Sequence, residues 1–114
     1  MTERELIEYC LTFADAHIRY PFGEGMMVLT INERNGFCYI TEGSDPLHIN
    51  LKCDPMEATF LRSVYKSVKP GYHFNKTHWN SVYLDGTVPD NEIKYMVTQS
   101  YLLVKAKNKT RLKY

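Results

Sequence analysis

The sequence of 114 residues carries a net charge of only +1, with 44% hydrophobic and 24% charged residues. This composition is typical of one globular domain, here residues 1–114, and it excludes a membrane-spanning chain because no apolar run approaches the ~20 residues that a bilayer requires. The N-terminal residues lack the apolar core of a signal peptide, so we expect a cytoplasmic protein without a membrane partner.

The charge is distributed unevenly along the chain. Residues 1–57 carry −6, from four Lys or Arg against ten Asp or Glu, whereas residues 58–114 carry +7, from ten against three. This asymmetry is compatible with DNA, RNA or another anionic partner. The alternative is a solvated helix end, because cations stabilise the negative pole at a helix C-terminus. Five cations lie in the last ten residues: Lys105, Lys107, Lys109, Arg111 and Lys113.

The sequence shows no catalytic motif of the nucleophile-elbow, zinc-protease, P-loop or dinucleotide-binding type. Three distant cysteines without a C-x-x-C pair predict buried thiols rather than disulfides or a zinc site. Cys53 is the best nucleophile candidate because it precedes a helix, but the adjacent Asp54 opposes a thiolate. His73 and His78 have no third metal-ligating residue near them in the sequence. We therefore expect a protein that is not an enzyme and holds neither a metal nor a cofactor.

A helix is predicted at the start of the chain. Thr2 and Glu5 have the spacing of a capping box, and the helix is expected to end near Arg19 because Pro21 disfavours helical backbone at the preceding residue. Its predicted buried face recurs every three or four residues. That face comprises Leu6, Tyr9, Cys10, Phe13 and His17.

Three strands are predicted next, at residues 26–31, 37–41 and 47–52. Asn35-Gly36 suits the first turn, and a turn around Asp45-Pro46 separates the second strand from the third, so the segment is an antiparallel meander. Asp54 then caps a second helix with Pro55 at its first position. We expect this helix to bury an apolar face of Met56, Phe60, Leu61 and Val64.

The Pro70-Gly71 pair is expected to break the chain before the stretch 71–86, which we interpret as strands four and five. A last helix begins within residues 87–90 and buries a stripe at helical spacing. The resulting order is α-β(3)-α-β(2)-α. This order predicts an α+β protein, a two-layer α/β sandwich with an antiparallel five-stranded sheet. The predicted buried stripe of the last helix comprises Ile93, Met96, Val97, Ser100, Tyr101 and Val104.

Strand alternation assigns the two faces of this sheet. The face predicted to pack under the helices is aliphatic: Met27, Leu29, Ile31, Cys38, Ile40, Leu47, Ile49, Leu51, Val82 and Leu84. The opposite face mixes aromatic, basic and hydrogen-bonding groups: Met26, Val28, Thr30, Phe37, Tyr39, Thr41, His48, Asn50, Lys52, Trp79, Ser81 and Tyr83. Large aromatic side chains on an uncovered face require a partner or a cover. A homodimer interface, a cover by the C-terminal tail, a nucleic-acid platform and another ligand all remain open.

The string from Gly71 to Asn80, with Gly-Tyr-His, Asn-Lys and His-Trp-Asn, is the most distinctive stretch of the chain. Together with Pro21-Phe22-Gly23, the segment 50–55, Leu84-Asp85-Gly86 and Ser100-Tyr101, it resembles the MmcQ/YjbR family of small bacterial proteins. The resemblance covers nearly the whole chain and implies the fold order given above. Such proteins are usually described as DNA-binding by analogy of shape, and the resemblance implies no enzymatic activity. The family motif implies site residues at Lys52, His73, Asn75, Lys76, His78, Trp79 and Asn80.

A nucleic-acid-binding domain is the leading hypothesis from these observations. Lys52, Lys69, Lys76 and the cations of the tail would contact phosphates. Tyr39, Tyr83, Phe37 and Trp79 would stack on bases, and Asn75 and Asn80 would read base edges or brace the hairpin. A protein-interaction or chaperone-like module that uses the open sheet face is one alternative. A small-ligand site lined by Tyr72, His73, His78 and Trp79 is the other.

Overall fold

The computed structural model describes residues 1–33 and 35–112, with side chains as far as residue 107. The predicted contacts of Lys109, Arg111 and Lys113 therefore lie outside the described side chains. No helix in the described ranges is long and apolar enough to cross a membrane. The elements are α1 Glu3–Cys10, β1 His17–Arg19, β2 Met26–Thr30, β3 Gly36–Thr41, β4 Leu47–Lys52, α2 Pro55–Val64, β5 Val68–Pro70, β6 Trp79–Leu84 and α3 Asp90–Leu112.

The strands form one antiparallel sheet in the order β1-β2-β3-β4-β6-β5, and residues of all three helices share a core with one face of it. The predicted α+β class is confirmed, but the described sheet has six strands rather than five. The predicted aliphatic face is also confirmed, since nine of its ten members are buried and Leu84 packs against them partly buried.

The first helix is shorter than predicted. The Thr2–Glu5 capping box is present, but α1 ends at Cys10 and residues 17–19 form the extra edge strand β1. Asp15 adopts a φ of 62° between the two elements. Phe13 lies in this turn rather than in the helix, but it still packs against the core, where its ring stacks on Tyr101 with centroids 4.5 Å apart. Strand pairing with β2 satisfies backbone groups that a longer helix would have satisfied internally, and it leaves His17 exposed.

The fourth predicted strand lies earlier than expected. Val68–Pro70 forms β5, which pairs with β6, whereas residues 71–78 form a loop. Pro70 does not break the sheet because β5 is an edge strand, where a residue without an N–H is tolerated. The prediction for α2 is also partly wrong. Ala58 and Leu61 face the core, while Met56, Phe60 and Val64 are 84%, 63% and 51% exposed.

Phe37 lies in the core rather than on the opposite face. The register between β2 and β3 shifts at Leu29 and Thr30, where Leu29 pairs with Cys38 but Thr30 pairs with Gly36. The extra residue interrupts the alternation of side chains, so Phe37 and Cys38 are both fully buried. The Phe37 ring packs edge-on against Tyr101, with centroids 5.3 Å apart.

Candidate functional site

The sheet face turned away from the helices, named the outer face here, is basic and aromatic. Antiparallel partners place their side chains on the same side, so the register defines its members. They are His17, Arg19, Met26, Val28, Thr30, Tyr39, Thr41, His48, Asn50, Lys52, Lys69, Trp79, Ser81 and Tyr83. Of these described strand positions, three hold Lys or Arg and none holds Asp or Glu. The sheet therefore offers anions a face without a carboxylate of its own.

Three rings form an aromatic cluster on the outer face. Tyr39 lies edge-on to Phe74 and to Trp79, with centroids 4.8 Å and 5.6 Å away, and Phe74 lies 4.9 Å from Trp79. Phe22 adds a more distant ring, 6.4 Å from Tyr39, that is 71% exposed. Burial within this cluster raises the pKa of Tyr39. The sequence predicted Tyr39 and Trp79 on this face but missed Phe74, because Phe74 arrives from the loop rather than from a strand.

The loop of residues 71–78 partly covers the outer face. The Tyr72 N–H donates to Ser81 Oγ over 2.8 Å, and that hydroxyl donates to Asn50 Oδ1 over 2.5 Å. Both Ser81 and Asn50 are 1% exposed, so this chain of hydrogen bonds fixes the loop to the middle of the sheet. This loop therefore provides a cover that sequence reasoning did not include among its alternatives.

A second pair of rings lies further along the same face. His48 stacks on Tyr83 with centroids 4.6 Å apart and planes only 5° from parallel. Partial burial lowers the pKa of His48, which favours the neutral imidazole near neutral pH. The predicted site residue Tyr83 is therefore half-buried and already has an aromatic neighbour.

Most polar residues of the family motif shape the loop. Asn75 Oδ1 accepts hydrogen bonds from the N–H groups of Thr77 and His78, at 2.8 Å and 3.3 Å. Lys76 Nζ donates to the carbonyl of Gly71 over 3.0 Å. The exposed His73 has a φ of 64°, and its ring lies 4.0 Å from that of Tyr72. Of the two roles predicted for Asn75, these contacts favour the brace.

Asn80 faces the helices rather than the outer face. Its Oδ1 accepts a hydrogen bond of 2.7 Å from Arg62 Nε of α2, and the residue is 2% exposed. The same guanidinium donates through Nη2 to the carbonyl of Trp79 at 3.1 Å and to the carbonyl of Lys76. Arg62 therefore joins α2 to the loop and to the start of β6. Sequence reasoning missed Arg62, since its partners lie 14 to 18 residues away along the chain.

Two predicted lysines lie on the outer face in different settings. Lys69 is exposed on the edge strand β5, opposite Ser81. Lys52 is half-buried at the end of β4, opposite Trp79. Burial, and secondarily the positive charge of Lys107, lowers the pKa of Lys52.

The predicted site residue His78 contributes its backbone carbonyl, which accepts a 2.8 Å hydrogen bond from the Cys53 N–H.

The three cysteines are free and buried, as predicted. Burial, followed by the charges of Glu57 and Asp54, raises the pKa of Cys53 to about 11. The thiol is thus protonated at neutral pH and is a weak nucleophile. Among the described residues no group of three or more His, Cys, Asp or Glu could hold a metal ion.

A two-layer α+β domain with this loop, this sheet and this motif defines one class of small protein. The sequence profile of the family described as YjbR matches residues 11–103, so the chain belongs to the YjbR family. The resemblance predicted from the sequence is confirmed. The chain is 35% identical over 101 residues to the protein YjbR of Escherichia coli K12, which is named as uncharacterised, and the match covers 89% of this chain and 85% of that protein.

Solved structures agree with this assignment. The crystal structure of Deinococcus radiodurans protein DR2400 is similar with a TM-score of 0.89 and 33% identity, over 94% of this chain and 80% of that one. A Pseudomonas syringae protein is similar with a TM-score of 0.76 over 91% of this chain and 99% of that one. At 24% identity the second likeness speaks for the fold alone.

Proposed function

We propose that the chain is a non-enzymatic domain that binds single-stranded nucleic acid on its outer face. The observation that supports the proposal is that no described strand position of this face holds Asp or Glu, while Arg19, Lys52 and Lys69 accompany exposed or half-buried rings. The ion pair of Arg19 is long, with Nη2 3.8 Å from a carboxylate oxygen of Glu33. Phosphates of a strand would meet these cations, and binding would release counterions.

The size of the face suits a short single strand. Six strands about 4.8 Å apart make a sheet about 24 Å wide. This width accommodates about four nucleotides, the lower end of the ~4–16 that one single-strand-binding domain covers. Phe22 and Tyr72 are largely exposed and Trp79 is half-buried, so their rings are open to solvent. A base stacked on such a ring gains about 1–3 kcal/mol. Stacking requires unpaired bases, so the proposal favours a single strand over a duplex.

Fluorescence anisotropy with a labelled oligonucleotide tests the proposal. A length of about 12 nucleotides lies within the usual site sizes of single-strand-binding domains. Binding should weaken as salt rises, and each of Lys52→Gln and Lys69→Gln should lower the salt slope by about 0.7. Trp79→Ala should weaken binding at every salt concentration. Lys94→Gln is the matched control, because Lys94 lies on α3 with its Nζ 5.5 Å from the Tyr9 ring, in the helical layer.

Two results would contradict the proposal. One is the absence of DNA and RNA binding at low salt. The other is binding that Lys94→Gln weakens as much as Lys52→Gln and Lys69→Gln do, since a general loss of positive charge would then explain the effect. Thermal unfolding of every variant shows whether a loss of binding reflects a loss of fold.

A further inference from the structure

A cleft opens where the outer face meets the C-terminal half of α3. It has a volume of about 120 Å³, and its walls come from the β2–β3 turn, the sheet and the helix. A water molecule needs only ~10–15 Å³ of such space, so the cleft has room for a hydrated group as large as a phosphate. The lining residues used below are Gly36, Tyr39, Lys52, Trp79 and Lys107.

Two lysines line this cleft without a described acidic partner. Lys52 belongs to the sheet and Lys107 to the helix. Burial lowers the pKa of Lys52, and the charge of Lys107 acts in the same direction. Among the side chains that the structure describes, no carboxylate forms a salt bridge with either ammonium group. Two neighbouring cations repel each other, and an anion between them would relieve that repulsion.

The walls of the cleft are held in place by buried contacts. Ser100 Oγ accepts a hydrogen bond of 2.9 Å from the Lys52 N–H and donates one of 2.6 Å to the carbonyl of Phe37. This hydroxyl ties α3 to two strands beside the cleft. A Cβ at Gly36 would lie 2.7 Å from Tyr39 Oη, so the glycine makes room for that phenol group. The backbone of Lys52 and the phenol group of Tyr39 are therefore held in place before any ligand arrives.

We propose that the cleft binds a phosphate monoester, with Lys52 and Lys107 as its cationic contacts and the Tyr39 hydroxyl as a third donor. A monoester carries about −1.5 to −2 at neutral pH, which matches two ammonium groups better than the single charge of a phosphodiester does. Walls on three sides suit a group at the end of a molecule. The monoester is the terminal phosphate of a strand or that of a free mononucleotide, and only the strand-end form rests on the proposed function.

The test compares three labelled single strands of one sequence, with hydroxyl ends, a 5′-phosphate or a 3′-phosphate. One phosphorylated strand should bind roughly tenfold tighter, the factor expected from one added charge-assisted hydrogen bond. Lys52→Gln and Lys107→Gln should abolish that gain. Lys105→Gln should keep it, because Lys105 lies two residues before Lys107 on the helix, with its Nζ 5.7 Å from the Tyr101 ring. Adenosine 5′-monophosphate and adenosine, compared by NMR titration, form the second arm.

The outcomes separate the two proposals. If all three strands bind equally and the monophosphate shifts no more signals than adenosine does, the cleft inference is overturned while strand binding still supports the proposed function. If only the monophosphate binds, and both cleft lysines are required, the cleft stands with a free nucleotide as its ligand and the proposed function fails. No binding in either arm overturns both, and a gain that survives both lysine variants overturns the cleft inference.

Discussion

Replacing Arg62 by Met removes the contact that joins α2 to the candidate site. The variant keeps most of the apolar stem but loses three donated hydrogen bonds. They reach Asn80 Oδ1 at 2.7 Å, the Trp79 carbonyl at 3.1 Å and the Lys76 carbonyl. Asn80 is 2% exposed, and its Nδ2 already has no partner among the described residues. Loss of Arg62 would leave both ends of this buried amide without a partner.

The magnitude follows from the two part-buried bonds. A hydrogen bond to a charged group contributes about 1.5–3 kcal/mol, and the exposed contact to Lys76 adds little. The Trp79 carbonyl lies near the loop, where water can replace part of its lost bond. We therefore expect Arg62→Met to lower the free energy of unfolding by about 2–4 kcal/mol, a large share of the ~5–15 kcal/mol of a typical domain.

Urea denaturation followed by tryptophan fluorescence measures this change, since Trp79 is the only tryptophan of the chain. With a slope of about 2 kcal/mol per molar urea, in the middle of the usual ~1–3, the midpoint should fall by about 1–2 M. Arg4→Met is the matched control, because Arg4 pairs with Glu8 at 3.4 Å while its side chain is 90% exposed. That control should change stability by less than ~0.5 kcal/mol. Equal stability of the two variants would refute the role given to Arg62.

Three further changes test neighbouring contacts. Gly36→Ala should cost about 1–3 kcal/mol through overpacking, because the new Cβ would lie 2.6 Å from Val28 Cγ1 and 2.7 Å from Tyr39 Oη. The cost should be smaller in a Tyr39→Leu background, where only the Val28 contact remains, and an equal cost in both backgrounds would contradict the crowding by Tyr39. Ser100→Ala should cost about 2–4 kcal/mol in urea by leaving two backbone groups unpaired, whereas Ser100→Thr, which keeps the hydroxyl, should cost less. Hydrogen bonds, first from the Ser67 hydroxyl, lower the pKa of Asp85 from 3.8 to about 2. Its contribution to stability is therefore complete above pH ~4 and is lost as the pH falls through ~2, so Asp85→Asn should flatten the stability profile in this window. A parallel profile would exclude this role.

Local signals account for the features that sequence predicted correctly. The capping box of Thr2 and Glu5 and the cap at Asp54 lie within a few residues of the backbone groups that they satisfy. The aliphatic face of the sheet follows from alternation alone, which is a property of each strand. The family motif, likewise contiguous, identified the family correctly, although its residues 71–78 form a loop rather than the predicted strand.

Errors arose where distant parts of the chain compete for the same residues. Helical spacing extended α1 through His17, but pairing with β2 turned residues 17–19 into a strand. The apolar spacing of Met56, Phe60 and Val64 is a valid helical face, yet the sheet contacts the side that carries Ala58 and Leu61. Periodicity identifies faces of a helix, but tertiary packing selects which of them is buried.

The sequence by itself determined the class of fold, the aliphatic core and the family, because these depend on short-range order and composition. Only the tertiary structure decided that Phe37 turns into the core at a bulge and that Arg62 holds Asn80. It also brought Lys52 and Lys107 to one cleft, although 54 residues separate them in the sequence. The physical reason is that register shifts and helix docking act between segments that no local pattern connects.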